Sequence, residues 1–211
     1  QESGKNTIFE AGFGMTPEEL FAQEEVIINN SLWYSGFLWR IMGINADGTV
    51  RLITDENVTA IPYHESSSNW DGSHAKDWLN DYFYNRLKGN DIISEQTWCI
   101  ETTTDSSSSR TTCTNNLSTE PAKVGLITLD EYNLAGGSGS YLNIGQYQWT
   151  ITSYSSSHAW SVFSRGSANN YSVSSVSGLR AVINVNSDVT ITFGNGTLGG
   201  TWSSEAGPYI L

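Results

Sequence analysis

The chain reads as an α+β fold with two main helices, short antiparallel strands and long loops. Two observations predict it. Apolar residues recur twice at helical spacing in the first half, and beyond Gly137 the sequence breaks into short alternating runs between Ser-, Asn- and Gly-rich stretches. With 211 residues and 38% hydrophobic content, there is apolar material for one sizeable core, and no linker-like shift in composition divides the chain. The organisation that follows is an N-terminal extension with a capped helix over residues 1–30 and one domain over residues 31–211. No internal repeat is visible.

The elements follow in order. Thr16-Pro17-Glu18-Glu19 predicts a helix start: the Thr16 hydroxyl accepts from the Glu19 amide, Glu19 reaches back, and Pro17 sits where its missing donor costs nothing. Leu20, Phe21, Ile27 and Ile28 supply its apolar stripe. From Phe37 the period becomes strand-like, and Asn45-Ala46-Asp47-Gly48 separates residues 39–44 from 49–54 as the turn of a hairpin. A second helix is predicted over residues 73–87, with Ala75, Trp78, Leu79, Tyr82, Phe83 and Leu87 on one face and Gly89 as the stop. Thr128 and Glu131 form another capping box, opening a short helix that Gly136-Gly137 ends. Val189, Ile191 and Phe193 alternate with Thr190 and Thr192, the pattern of a half-buried antiparallel strand.

Charged residues make up 15% of the chain, so its polar surface comes from Ser, Thr, Asn and Gly, as in secreted proteins. The net charge of −12 argues against nucleic acid and anionic membrane surfaces as partners. No stretch approaches the roughly 18 apolar residues of a membrane span. Cys99 and Cys113, the only cysteines, flank the hydrophilic run IETTTDSSSSRTT. A disulfide closing this loop is the expectation; a zinc site would want about four close ligands, and a redox pair would want the CxxC spacing.

Three runs, at residues 39–54 (WRIMGINADGTVRLIT), 124–137 (VGLITLDEYNLAGG) and 179–197 (LRAVINVNSDVTITFGNGT), together with the terminal Gly207-Pro208-Tyr209-Ile210-Leu211, carry a resemblance. They resemble a domain of unknown function that recurs on surface, pilin-like and repeat-bearing proteins of Gram-positive and wall-less bacteria. The resemblance covers residues 37–211 and implies an extracellular, secreted or cell-surface address. It also implies a C-type-lectin-like, formylglycine-generating-enzyme-like fold, without assigned chemistry. Members often carry a hydrophobic pilin-type N-terminal helix, whereas this chain opens with polar Gln1-Glu2-Ser3-Gly4-Lys5; the expectation is a segment matured by cleavage or anchored from outside it. Where the family usually has an Arg-Pro pair, Ala181 follows Arg180, and a structural role for Arg180 toward loop carbonyls is expected.

The residues offer little catalytic chemistry. His64, His74 and His158 belong to no metal or catalytic motif, and the Ser138 run lacks the glycine and following helix of a nucleophile elbow. Asp77 and Asp81, one helical turn apart, would share a cation with Asp71, or more simply form a solvated acidic face. The cysteines sit in the wrong setting for formylglycine-generating activity, and no Glu-Pro-Asn or Gln-Pro-Asp signature supports calcium-dependent sugar binding. Sequons at Asn29, Asn57, Asn116, Asn170 and Asn195 are the chance yield of a Ser/Thr-rich chain.

Of eight tryptophans, Trp39, Trp78 and Trp149 read as core, while Trp70, Trp160 and Trp202 stand among polar residues where a ring would stack a sugar. Arg165 lies in SVFSRGSANNYSVSS, whose counterpart in lectin-like folds tends to face ligands. The ligand-binding candidates are therefore Trp160, Arg165, Asn169, Asn170 and Tyr171. Thr7, Ile8, Phe9 and Phe13 form a short apolar segment suited to adding onto a neighbouring copy. The expected function is a non-enzymatic extracellular surface protein, an adhesion domain or appendage subunit, with no catalytic residues, cofactor or metal. Its partners would be copies of itself, head to tail, or glycans or proteins of a host or neighbour. The rival readings are a carbohydrate-binding lectin-like module, favoured by an exposed aromatic cluster around Trp160 and Tyr171, and an enzyme of unknown reaction.

Overall fold

A computed structural model of the chain describes residue 16 and residues 30–113, 116–192, 194–198 and 207–211. The capped helix expected after Thr16 and the segment Thr7, Ile8, Phe9 and Phe13 lie outside the described residues. The architecture is mixed α and β and dominated by sheet. Its strands are β1 (Ser31–Tyr34), β2 (Phe37–Ile44), β3 (Val50–Thr54), β4 (Thr59–Pro62), β5 (Ile93–Ser94), β6 (Val124–Gly125), β7 (Gln148–Ser155), β8 (His158–Val162), β9 (Ala168–Ser172), β10 (Val176–Leu179), β11 (Val182–Val185) and β12 (Tyr209–Ile210). Two short α-helices, α1 (His74–Asp77) and α2 (Leu129–Leu134), stand among them.

The described residues divide into two compact units. One draws on those of Gln1–Asp55, Leu87–Ser94 and Ile183–Leu211, the other on Glu56–Arg86 and Glu95–Val182. Each unit is built from separated stretches, so no single cut of the chain parts them.

The first unit is a sheet in the order β12-β1-β2-β3-β11-β5. The predicted hairpin is present: β2 and β3 pair antiparallel, and Gly48 closes the turn at φ +85°. A second hairpin precedes it. Tyr34 pairs with Phe37 across Ser35-Gly36, both at positive φ, which is the two-residue turn whose twist matches the strands it joins. In β2 the register slips between Ile41 and Gly43, and Met42 is the extra residue of a bulge. Asn30, fully buried, pairs with Ile41 through main chain and amide alike, and its carboxamide oxygen accepts from Arg40 Nε at 2.7 Å.

The C-terminal residues close this sheet from the other edge. Tyr209 and Ile210 run parallel to β1, so the expectation of purely antiparallel pairing is corrected here. The strand expected at residues 189–193 is corrected as well: Ile191 is buried between exposed Thr190 and Thr192, but no regular ladder forms. Thr192 donates to Ile210 O from its amide at 2.9 Å and from its hydroxyl at 3.1 Å, so it meets β12 at one carbonyl.

The second unit is a sheet in the order β4-β10-β7-β8-β9, with β10 parallel to β7 and the other pairs antiparallel. The helix predicted at residues 73–87 forms, but irregularly. Ser73 caps α1 by accepting from Lys76 N at 3.0 Å, the chain then widens into a π-helical stretch over Trp78–Phe83, and a 3-10 turn over Tyr84–Arg86 follows. Its buried residues are Ala75, Leu79, Phe83 and Leu87, while Tyr82 is exposed and Trp78 half-buried. A strict four-residue spacing outruns the 3.6 residues of an α-turn, and i→i+5 winding keeps that stripe facing one way. The capping box of α2 is complete: Thr128 Oγ1 accepts from Glu131 N at 3.0 Å, and Glu131 accepts from Thr128 N at 2.8 Å.

Gly125 lies against the face of the Trp98 ring, whose indole donates to Ala122 O at 3.0 Å. A methyl group at residue 125 would overlap that ring, and the hydrogen bond holds the ring in place. Gly125→Ala is therefore expected to cost about 1–3 kcal/mol through overpacking. In a chain of this size, that is a fall in Tm of several degrees, read by calorimetry.

Candidate functional site: a clamped loop and an aromatic face

The polar run between the cysteines is fastened at several points. Cys99 and Cys113 are bonded to one another, with Cα atoms 5.8 Å apart. Within the loop they close, Arg110 grips Asp130 at the start of α2, donating from Nη2 at 3.0 Å, from Nε at 3.2 Å and from its backbone amide at 2.9 Å. Arg110 also forms an ion pair with Glu101. The Asp130 hydrogen bond pushes the guanidinium above its ordinary range, outweighing burial, which acts the other way. Asn133, one helical turn past Asp130, donates to Ser106 O and Ser108 O. Both acids are nearly buried, so each needs its cation, and α2 serves as the rigid anchor for the loop.

A similar fastening lies at Asp71. Burial raises its pKa, but the hydrogen bonds from Thr119 N at 2.8 Å and Thr119 Oγ1 at 2.9 Å, with Lys76 Nζ at 3.2 Å, outweigh burial and hold the carboxyl below its ordinary range. Asp77 and Asp81 are exposed and do not join Asp71. Among the described residues, the one set of three metal-capable donors in reach of each other is Cys99, Glu101 and Cys113. Its two sulfurs are spent on each other, and Arg110 takes its carboxylate. His64 and His74 stack at 5.2 Å, and His64 Nδ1 accepts from the amides of Ser66 and Ser67, each at 2.9 Å.

The five ligand-binding candidates are not gathered into one place. β9 pairs Tyr171 with Ala159 and Asn169 with Ser161 on one face of the sheet, and Asn170 with Trp160 on the other. Trp160 is 3% exposed, its indole donating to Thr103 O at 2.9 Å and its ring packed edge-on against Tyr154. It is a core residue and presents no plane to solvent, so the expectation of a stacking ring at Trp160 is corrected. Trp70, 1% exposed, is corrected in the same way, and Trp202 lies outside the described residues. Arg165 and Asn170 are exposed; Asn169 and Tyr171 are half-buried. Arg180 does serve carbonyls, donating from Nη1 to Leu142 O at 2.8 Å while fully buried.

An aromatic cluster does form, on the Tyr171 face and from different partners. Tyr63, Trp149 and Tyr171 follow one another at 5.6 Å between ring centroids, and Tyr171 continues to Phe163 at 5.4 Å and Tyr147 at 6.2 Å. Tyr63 and Trp149 are sealed; Phe163 and Tyr171 are half-buried; Tyr147 is 41% exposed. Burial raises the pKa of Tyr63 far above its ordinary range, and the nearby Asp71 charge adds to the effect. The sequence reading missed Tyr147 and Phe163. Its usable signal was Tyr147-Gln148-Trp149: residues two apart on a strand share a face, so a core Trp149 places Tyr147 beside it.

Comparison with known proteins returns no match: no family model, no curated sequence and no solved structure aligns with this chain.

Trypsin reads the loop clamp directly, since Arg110 is the only basic residue between the cysteines. Native protein is expected to resist cleavage after Arg110. Asp130→Asn should open that bond to the protease, because it removes the carboxylate charge that holds the partly exposed Arg110 guanidinium. Disulfide reduction alone should leave a cooperative fold, because the Asp130 contacts persist. Equal protection of Arg110 in wild type and Asp130→Asn would show that the ion pair holds nothing.

The Asp71 shift sets an acid limb on stability. Because its folded pKa is depressed, its stabilisation is full above the ordinary carboxylate range near pH 4 and is lost as pH falls through the lower folded value. Urea midpoints measured from pH 6 to pH 2 should fall, and fall less in Asp71→Asn. Parallel curves would remove Asp71 as a contributor.

Proposed function

We propose that this chain is a non-enzymatic extracellular surface domain with a C-type-lectin-like fold, serving adhesion or acting as a subunit of a surface appendage. The observation that carries the reading is the Cys99–Cys113 bond. Disulfides persist in oxidising compartments and are rare in the reducing cytosol. The resemblance of residues 37–211 to bacterial surface domains points to the same address. A surface made of hydroxyls and amides, with a net charge of −12, suits a secreted protein and turns away nucleic acid and anionic membranes. No helix among the described residues is long and apolar enough to cross a membrane.

The non-enzymatic reading rests on what the charged groups do. Glu101, Arg110 and Asp130 hold the disulfide loop; Asp71, Lys76 and Thr119 hold another; Arg40 spans Asn30 and Asp55. Each of these clusters is engaged by a structural partner. The partners proposed are copies of the chain, joined head to tail through Thr7, Ile8, Phe9 and Phe13, or glycans or proteins of a host or neighbouring cell.

Protease shaving of intact producing cells tests the address. Surface protein should be released, and its peptides should carry Cys99 and Cys113 as an oxidised pair. Protein that survives shaving until the cells are lysed, with both thiols free, would overturn the reading.

A further inference from the structure

Three rings and the amides around them form a surface of a particular kind. Tyr147 and Phe163 lie 4.6 Å apart with planes 39° apart, and Tyr171 stands edge-on to Phe163. Among the described residues, neither the Tyr147 nor the Tyr171 hydroxyl takes a hydrogen-bond partner. Tyr171 is backed by Trp149, which is fully buried and pinned by its indole to Ile61 O at 3.1 Å. Tyr147 is also fixed from its main chain: its carbonyl accepts from Gly178 N and from Asn57 Nδ2, both at 3.0 Å. The same Asn57 amide donates to Gln146 Oε1 at 3.0 Å, while Asn57 Oδ1 is buried without a partner. A methyl group at position 178 would overlap the Asn57 carboxamide and push that side chain aside. Asn169 shares the face of β9 with Tyr171.

We propose that Tyr147, Phe163 and Tyr171 form a calcium-independent binding platform for a neutral sugar, with Gln146 and Asn169 as the hydrogen-bonding rim and Asn57 as the residue that positions Gln146 and Tyr147. The proposal rests on the adhesion reading above and names its ligand class. A pyranose offers an apolar C–H face and a girdle of neutral hydroxyls, which match rings flanked by carboxamides. The charge pattern supports this occupant: no carboxylate or ammonium stands among the six residues, although the chain as a whole carries −12. Size argues against a second copy of the chain. A wholly buried aromatic accounts for roughly 150–250 Å², so three partly covered rings expose a few hundred at most, short of the ~800 Å² per partner of a stable protein interface. A nucleic acid would stack on the same rings, but it needs a basic track that this acidic surface lacks.

The test is titration of the purified full chain with neutral cello-, manno- and galacto-oligosaccharides, with and without a chelator. Binding is followed by saturation-transfer NMR and by the change in intrinsic tryptophan fluorescence, to which Trp149 beside Tyr171 contributes. At least one series should bind, unchanged by the chelator. Tyr147→Ala should weaken it at least tenfold while retaining the wild-type Tm, and Tyr147→Phe should retain most of it. Tyr82→Ala, which removes a still more exposed tyrosine from the π-helical stretch, should change nothing. Absence of binding to all three series, loss on chelation, or full affinity in Tyr147→Ala overturns the proposal. None of these results bears on protease shaving, so the surface address stands or falls separately.

Discussion

Strand β7 is the element on which the larger unit depends, because it is buried on both faces and its main chain has to be paired along its whole length. From Gln148 to Ser153 every residue is buried, and four of those six are polar. On one edge β8 supplies the partner, with register slips beyond Trp149. On the other edge no single strand suffices. Gly178 of β10 pairs with Gln148, the Ile151 amide then donates to Ile127 O, and Ser153 exchanges bonds with Glu101 and Thr103. Three distant stretches of chain thus complete one ladder, since an unpaired buried amide costs as much as a lost hydrogen bond.

The polar side chains of β7 extend the same logic. Thr152 accepts from Leu129 N at the start of α2, Ser153 donates to Ser68 O, and Thr150 donates to Trp160 O. Gln148 donates to Leu142 O, the carbonyl that Arg180 also serves. Tyr132 donates to Gly166 O at 2.7 Å, and its burial pushes the phenol up to about 12. A buried hydroxyl or amide without a partner is costly, whereas a satisfied one specifies a single arrangement of the loops around it. The low charge of the chain suits this design: neutral donors and acceptors fix loops that ion pairs would otherwise hold, and in the disulfide loop Arg110 adds ion pairs to them.

Local signals were legible in the sequence and long-range ones were not. Asn45-Ala46-Asp47-Gly48, the Thr128–Glu131 box and the disulfide each rest on residues close in sequence or on compartment chemistry, and each is present. The Arg110–Asp130 grip joins a loop residue to one in the first turn of α2, 20 positions on, and carries no local signature. Trp160 stands in a largely polar run, and what buries it is distant or out of register in sequence: its ring packs edge-on against Tyr154 and its indole donates to Thr103 O. Tyr82 misled because a face drawn at 3.6 residues per turn does not describe a stretch wound more widely. The parallel pairing of β12 was hidden because two residues cannot display a period.

Strand parity explains why a recognition surface would sit where the aromatic row ends. On β7 and β9, Trp149, Asn169 and Tyr171 share a face; its centre is closed over Trp149 and Tyr63 and opens toward Phe163 and Tyr147, at the turns leaving β8 and entering β7. Rings at such a boundary have a rigid, hydrogen-bonded core behind them and solvent in front. Little side-chain entropy is lost when something stacks on them, because packing has already restricted their rotamers. Long loops around a rigid sheet are free to vary in such a protein, provided that β7 keeps its partners.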